Sequence, residues 1–270
     1  MNNIYTFFIP HSPLLISKVG QEHSQKLSAS IRALKKIRDK IYKINPDKII
    51  IITPPLQNFK NISINQSEKY LIDFKAFGNL SLEFEAPGDL DYSTQLKDFF
   101  RSKKFNINLF SEERVCSKSF VSFYYLNKYH IASKGFENEL NHDPNIKNEF
   151  IVINASRADL NYHEKFGKML VQFLVDKKEK VVIIAMGNLL GPAKKKKDGD
   201  LLIADKIIDF IQKRNYSGII KLKEQFKKDL DFGVRPLMMI APLISKLDLK
   251  PQILSLDKEF GGVYLNIEFK

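Results

Sequence analysis

One histidine stands at the point where a buried strand would end. Residues 4–9 form a short apolar run rich in β-branched and aromatic residues, and Pro10-His11-Ser12-Pro13 follows it directly. An imidazole at the exit of a buried strand can bind a metal ion or transfer a proton. The alternative is that His11 only forms hydrogen bonds within a turn, and the sequence leaves both interpretations open.

Two more segments are expected at the same edge as His11. Residues 53–56 follow a second apolar run, and residues 187–192 follow the most apolar run of the chain. Because the carboxyl ends of parallel strands meet at one edge of a sheet, these loops predict a ligand pocket. A non-haem iron site there would need two histidines and a carboxylate, and of these loops only the first contains a histidine.

Alternating strand and helix patterns predict the scaffold that carries these loops. We predict strands at residues 4–9, 48–53, 81–85, 105–110, 149–155, 180–186, 251–256 and 262–269, and helices at 21–44, 91–103, 120–126, 163–175, 201–211 and 233–244. Asn161 is predicted to cap the helix at 163–175. The first strand, helix and strand form a βαβ unit, whose right-handed crossover implies parallel pairing. The expected fold is α/β: a single three-layer αβα domain over residues 1–270 with a central, mostly parallel, mixed sheet.

Short motifs follow one another in a fixed order along nearly the whole chain. They are residues 9–16, 46–54, 73–74 with 77–78, 123–126, 166–168, 187–189, 231–237 and 260–265. As an ordered set they resemble the β-subunit domain of class III extradiol ring-cleavage dioxygenases, especially the Memo-like branch. The resemblance implies an Fe(II)-dependent enzyme that opens aromatic rings.

The resemblance also assigns site positions, and several lack the expected residue. His11 occupies the position of the family's first iron ligand, but Pro55 stands where the second histidine ligand belongs, and proline cannot coordinate a metal. The family's Gly-Asp-Leu-Ser-His motif reads Gly-Asn-Leu-Leu-Gly here, so Asn188 replaces the aspartate and Gly191 replaces the acid/base histidine. Loss of that imidazole removes a rate contribution of roughly 10²- to 10⁴-fold.

The remaining pocket candidates are Ser12, Ser117, Asp231 and Arg235. Ser117 stands at the position of another family histidine, and the family's late acidic position falls near Asp231. Asp231 could instead cap a helix or form a surface ion pair. Asn188 could bind a ligand or simply hold the turn.

These observations predict a protein that is like a class III extradiol dioxygenase but has lost iron binding and ring cleavage. It would bind a small ligand or a protein partner, with His11 as the remnant of an incomplete metal site and no cofactor. The alternative is an active non-haem, metal-dependent oxidoreductase whose rearranged site uses His11, Asp231 and a histidine from a folded-over loop. Fe(II) would be the cofactor if the family's activity is retained.

Composition limits the expected partners and location. Forty-three Lys and Arg against 31 Asp and Glu give a net charge of +12, but the lysines are scattered, which indicates a solvated basic surface rather than a nucleic-acid site. We expect a small aromatic or anionic ligand and a homo-oligomer or a partner subunit, without nucleic acid or membrane. The lysines at 194–197 could clamp an anion or form a solvated loop. The single cysteine, Cys116, excludes a disulfide framework and favours a cytoplasmic location.

Overall fold

The computed structural model describes residues 3–55, 60–126, 149–190, 198–222 and 231–270 of the 270-residue chain. The strands are β1 (Ile4–Ile9), β2 (Lys48–Thr53), β3 (Ser63–Asn65), β4 (Lys69–Asp73), β5 (Glu83–Pro87), β6 (Asn108–Phe110), β7 (Glu149–Asn154), β8 (Val181–Met186), β9 (Pro251–Asp257) and β10 (Tyr264–Phe269). The helices are α1 (Ser17–Gly20), α2 (Glu22–Lys26), α3 (Ser28–Ile44), α4 (Leu90–Ser102), α5 (Phe120–Leu126), α6 (Leu160–Leu174), α7 (Asp198–Gln212), α8 (Tyr216–Lys221) and α9 (Asp231–Lys246).

A large mixed sheet forms the centre of the fold, and it confirms the predicted α/β class. Its strand order is β6-β3-β7-β2-β8-β1-β10-β9. The central strands β7, β2, β8 and β1 are parallel, whereas β10 and β9 add antiparallel strands on one side and β3 pairs antiparallel with β7 on the other. The parallel centre places the ends of β1, β2, β7 and β8 at one edge.

Apolar cores cover both faces of this sheet. Ile49 and Ile51 of β2 pack in the core that includes residues of α3 and α5, whereas Ile50 and Ile52 pack in the core that includes residues of α4, α6 and α9. Burial on both faces explains why the strand is a continuous apolar run instead of an alternating one. None of the described helices is both long and apolar enough to cross a membrane.

The long helix predicted at 21–44 is interrupted, and this expectation was wrong at its start. Gln21 adopts a positive φ of 46° and separates α1 from α2, and α2 in turn ends at Lys26, so the continuous helix begins only at Ser28. Gly20 explains the tight turn, since a Cβ atom there would lie 2.2 Å from the Leu14 carbonyl oxygen. Residues 21–26 contain no apolar residue, so the apolar spacing that predicted the helix begins only at Leu27 and does not cover the break.

The cap predicted for α6 was also wrong. Asp159, and not Asn161, caps this helix, because its side chain accepts a hydrogen bond of 2.8 Å from the Tyr162 amide. Asn161 lies inside the first turn.

The small second sheet was not predicted. β4 and β5 form an antiparallel pair, and the strand predicted at 81–85 is shifted to Glu83–Pro87 within it. Helix α8 was likewise missed.

Candidate functional site

Two loops at the carboxyl edge of the sheet are joined by a reciprocal pair of hydrogen bonds. The His11 amide donates to Asn188 Oδ1 over 3.2 Å, and the Asn188 amide donates to His11 Nδ1 over 3.1 Å. The loops follow β1 and β8, which pair in parallel up to Ile9 and Met186. Asn188 is only 1% exposed. The predicted meeting of these two candidates is therefore present, and Asn188 holds the turn while it orients His11.

This hydrogen bond fixes the tautomer of His11. Since Nδ1 accepts a hydrogen bond from a backbone amide, the neutral ring carries its own proton on Nε2. Burial lowers the pKa of His11 to about 4, and the positive charge of Lys118 lowers it as well. At neutral pH the ring is thus uncharged and offers an N–H donor at Nε2. A metal bound through Nε2 would need the proton on Nδ1 instead.

Lys118 brings a positive charge to the same place. Its ammonium donates a hydrogen bond to the Pro55 carbonyl oxygen, and its charge acts on His11. Burial lowers the pKa of Lys118, while the nearby Cys116 opposes this shift. The loop position where the family places its second ligand therefore presents a backbone oxygen that already binds a cation. A metal ion there would face electrostatic repulsion from Lys118.

The other candidates from the sequence are more dispersed. Ser117 begins a single helical turn (Ser117–Ser119) next to Lys118 and is partly exposed. Ser12 is buried beside Tyr264. Arg235 reaches a different loop, where its Nε and an Nη donate to the carbonyl oxygens of Ala158 and Arg157 over 3.1 and 3.3 Å.

Some candidates lie outside the described residues. These are Gly191, the lysines at 194–197, His130, His142 and the side chain of Asp231. The rearranged metal site that would combine His11 with Asp231 and a loop histidine remains a prediction for this reason.

The described residues around His11 do not fit an Fe(II) ion. Across the described ranges, no group of three or more His, Cys, Asp or Glu side chains is placed to hold a metal. His23 packs edge-on against Phe260, with ring centroids 5.1 Å apart. Among the described residues, the groups placed at this edge include the His11 imidazole with its proton on Nε2, the Asn188 amide and the Pro55 carbonyl oxygen, which is bound to Lys118.

His163 is a structural histidine in the first turn of α6, and it contacts the loop between β7 and this helix. Its Nδ1 donates to the Asp159 carbonyl oxygen over 2.7 Å, and its Nε2 accepts from the Ser156 amide over 3.1 Å. The side chain is fully buried. Burial lowers its pKa to about 4. Both ring nitrogens are used in positioning the start of α6.

The start of helix α9 packs closely against the backbone of the turn that contains Asn188. A Cβ atom on Gly233 would lie 2.5 Å from the Asn188 carbonyl oxygen, so only glycine allows the helix to approach so closely. Sequence reasoning missed this contact and also missed Lys118. The position of Lys118 directly after Ser117 was the available signal.

Fold and site together define a class: an α/β domain with a histidine and an amide side chain facing one another at the carboxyl edge of a parallel sheet. The model of a protein family described as the catalytic LigB subunit of aromatic ring-opening dioxygenase matches residues 5–199. The chain belongs to this LigB family, which confirms the resemblance found in its motifs.

Two known proteins are similar over almost the whole chain. Protein CA_C1420 of Clostridium acetobutylicum is 22% identical over 286 aligned positions, which cover 96% of this chain and 55% of that protein. The chain thus spans about half the length of this curated relative. The crystal structure of uncharacterized protein JW3007 from Escherichia coli K12 has a TM-score of 0.64 at 12% identity and covers 98% of this chain and 99% of that chain. This second likeness is one of fold.

Proposed function

We propose that this LigB-family chain no longer cleaves aromatic rings with iron and instead binds a small ligand between His11, Asn188 and Lys118. The observation that carries the proposal is the hydrogen bond from the Asn188 amide to His11 Nδ1. This hydrogen bond occupies the Nδ1 lone pair, so Nδ1 cannot bind a metal. The ring proton is then on Nε2, which blocks metal binding there as well. The family's ring-opening chemistry depends on a bound metal, and this edge favours hydrogen-bond acceptors.

The ligand class follows from the charge and donors of the edge. Lys118 supplies a positive charge, and neutral His11 supplies an N–H donor. Carboxylate and phenolate oxygens accept hydrogen bonds from both kinds of donor. A small aromatic or aliphatic anion is therefore the proposed ligand, bound within a single αβα domain that extends over the chain. The Memo-like branch remains the proposed position within the family.

Metal analysis tests this function directly. The full chain, purified from a metal-replete medium, should contain much less than one equivalent of Fe, Zn or Cu when measured by plasma mass spectrometry. A His11→Gln variant is the matched control, because glutamine cannot replace an imidazole ligand but keeps a polar side chain at the turn. We expect equal trace metal in both proteins.

One equivalent of metal in the wild-type protein, lost in His11→Gln, would overturn the proposal. That result would favour the alternative of a metal-dependent oxidoreductase with a rearranged site. A ring-opening assay with catechol under anaerobic Fe(II) reconstitution, followed by exposure to air, would then measure whether the family's activity is retained.

A further inference from the structure

A pocket lies beside the His11 edge, on the sheet face whose core includes residues of α3 and α5. It is formed by the ends of β3, β6 and β7 together with residues 112–119, and its cavity volume is about 220 Å³. Cys116 and Ser119 line it, and so does Asn154 at the end of β7. We call it the Cys116 pocket. Lys118 lies on the same segment but reaches Pro55 instead.

An unsatisfied donor lines this pocket. Asn154 is 2% exposed, and its Oδ1 accepts a hydrogen bond of 2.7 Å from Thr53 Oγ1. Its Nδ2 has no hydrogen-bond partner among the residues that the structure describes. A buried amide without a partner costs free energy, so native structures rarely leave one unless water or a ligand completes it.

The other buried polar side chains of the pocket already have partners. Asn65 donates to the Glu112 carbonyl oxygen over 2.8 Å and accepts from the Glu112 amide over 3.0 Å. Ser119 Oγ donates to the Cys116 carbonyl oxygen over 2.8 Å. Arg114 is paired with Asp73. The Asn154 amide is therefore the group that gains from a ligand.

The walls determine what kind of molecule fits. Phe110, Val115 and Val152 give the pocket apolar surface. Glu112 and Arg114, both exposed, bring opposite charges to its lining, so neither an anion nor a cation is favoured overall. Ligand sites of this kind combine apolar walls with a few polar groups that fix orientation.

We propose that the Cys116 pocket is a second ligand site, which binds a small uncharged molecule with an apolar body and a carbonyl oxygen that accepts a hydrogen bond from Asn154 Nδ2. This site shares no side chain with the pair of His11 and Asn188. It goes beyond the proposed function, and it would persist if that function proved wrong.

Disulfide exchange at Cys116 provides the test, because this residue is the only cysteine of the chain and is partly exposed. Two mixed disulfides of 2-mercaptoethanol serve as probes. One carries a short thiol with a ketone group, and the other carries an alkane thiol of the same length. The Cys116 thiolate attacks the probe disulfide, a new S–S bond forms, and a thiolate leaves, so there is no net oxidation. Intact mass at fixed 2-mercaptoethanol concentration gives the equilibrium occupancy of each probe.

The folded wild-type chain should retain the ketone probe roughly three- to tenfold more than the alkane probe, as one neutral hydrogen bond predicts. In Asn154→Leu the ratio should approach that of the urea-unfolded chain. Ser122→Ala is the control, since its hydroxyl donates to the Ser119 carbonyl oxygen and does not line the pocket, and it should keep the wild-type ratio.

A wild-type ratio equal to that of the unfolded chain would overturn the proposal, and so would an unchanged ratio in Asn154→Leu. If that variant does not fold, the side-chain amide of Asn154 can be followed by NMR in the wild-type chain. Its N–H resonances should shift with the ketone adduct and stay unchanged with the alkane adduct; equal shifts would also overturn the proposal.

Discussion

The two best-defined histidines of the described chain hold their protons on opposite ring nitrogens. His11 Nδ1 accepts a hydrogen bond from a backbone amide, whereas His163 Nδ1 donates one to a backbone oxygen. The pKa of each is lowered to about 4, chiefly by burial. The hydrogen-bond partner of one nitrogen therefore decides what the other nitrogen can do.

This difference gives a prediction that NMR can check. At pH 7 we expect His11 as the neutral Nε2–H tautomer and His163 as the neutral Nδ1–H tautomer. Long-range ¹H–¹⁵N correlation spectra distinguish the two forms, and the His11→Gln and His163→Gln variants supply the assignments. A proton on Nδ1 of His11 would contradict the geometry and would reopen the case for a metal at Nε2.

Lys118 should control the affinity of the His11 edge for anions. Lys118→Met removes the charge but keeps an unbranched apolar side chain, so we expect benzoate to bind roughly tenfold more weakly, as the loss of a charge-assisted hydrogen bond predicts. Calorimetry at pH 7 measures the change, with uncharged benzamide as the comparison ligand.

Lys69→Met is the control variant, since Lys69 is an exposed residue whose ion-pair partners are Glu85 and Glu113. It should bind benzoate like the wild type. Equal benzoate affinity in Lys118→Met and wild type would contradict the role given to Lys118.

The residue types at the His11 edge were only partly predictable. The meeting of His11 and Asn188 followed from strand ends that share an edge. Lys118 could not be placed in the same way, because it belongs to a single helical turn too short to show a periodic pattern. Its position depends on how that segment crosses the end of β2, which is a tertiary contact.

At the scale of elements, His163 connects the loop after β7 to the first turn of α6. Its ring lies between the Ser156 amide and the Asp159 carbonyl oxygen, and both hydrogen bonds need the neutral imidazole. A proton added to this ring would be buried and would break the bond from Ser156. The start of α6 is therefore sensitive to acid.

The free energy of unfolding should fall as pH drops from 6.5 towards 4. In this window the unfolded chain protonates its imidazole at the ordinary pKa of 6.5, whereas folded His163 stays neutral until about pH 4. The unfolded state binds more protons, so acid favours it, and the loss ends below about pH 4. The shift corresponds to about 3 kcal/mol.

Urea unfolding at several pH values measures this loss. His11 acts in the same direction, so the comparison between wild type and His163→Gln isolates the contribution of His163. The variant should show a smaller decline between pH 6.5 and 4, whereas an identical decline would mean that His163 titrates normally in the folded protein.

The elements that sequence predicts best are those buried on both faces. β1, β2, β7 and β8 were located to within a residue, because their apolar runs are continuous and bounded by turn signals. β3 and β6 are only three residues long, and β3 contains Ser63 and Asn65, so no apolar pattern marked it. Their pairing is fixed by contacts with β7 and with each other, not by their own residues.

At the scale of the whole molecule, the net charge of +12 is the feature that most invites a wrong inference. Many basic side chains are matched by acidic ones: Lys48 pairs with Asp89 and Glu149, and Lys258 pairs with Asp205. Such pairs weaken the local field. Exposed charges further apart than about 8 Å are also largely screened at physiological ionic strength.

We therefore expect only non-specific attraction to nucleic acid. Fluorescence anisotropy with a labelled 20-base-pair duplex should detect weak binding at about 20 mM salt and none at about 150 mM, because each phosphate contact adds to the salt dependence. Changing all the lysines at 194–197 to glutamine tests whether that run causes the residual binding. Micromolar or tighter affinity at the higher salt would contradict a scattered, solvated basic surface, since it would require phosphate contacts concentrated on one face of the molecule.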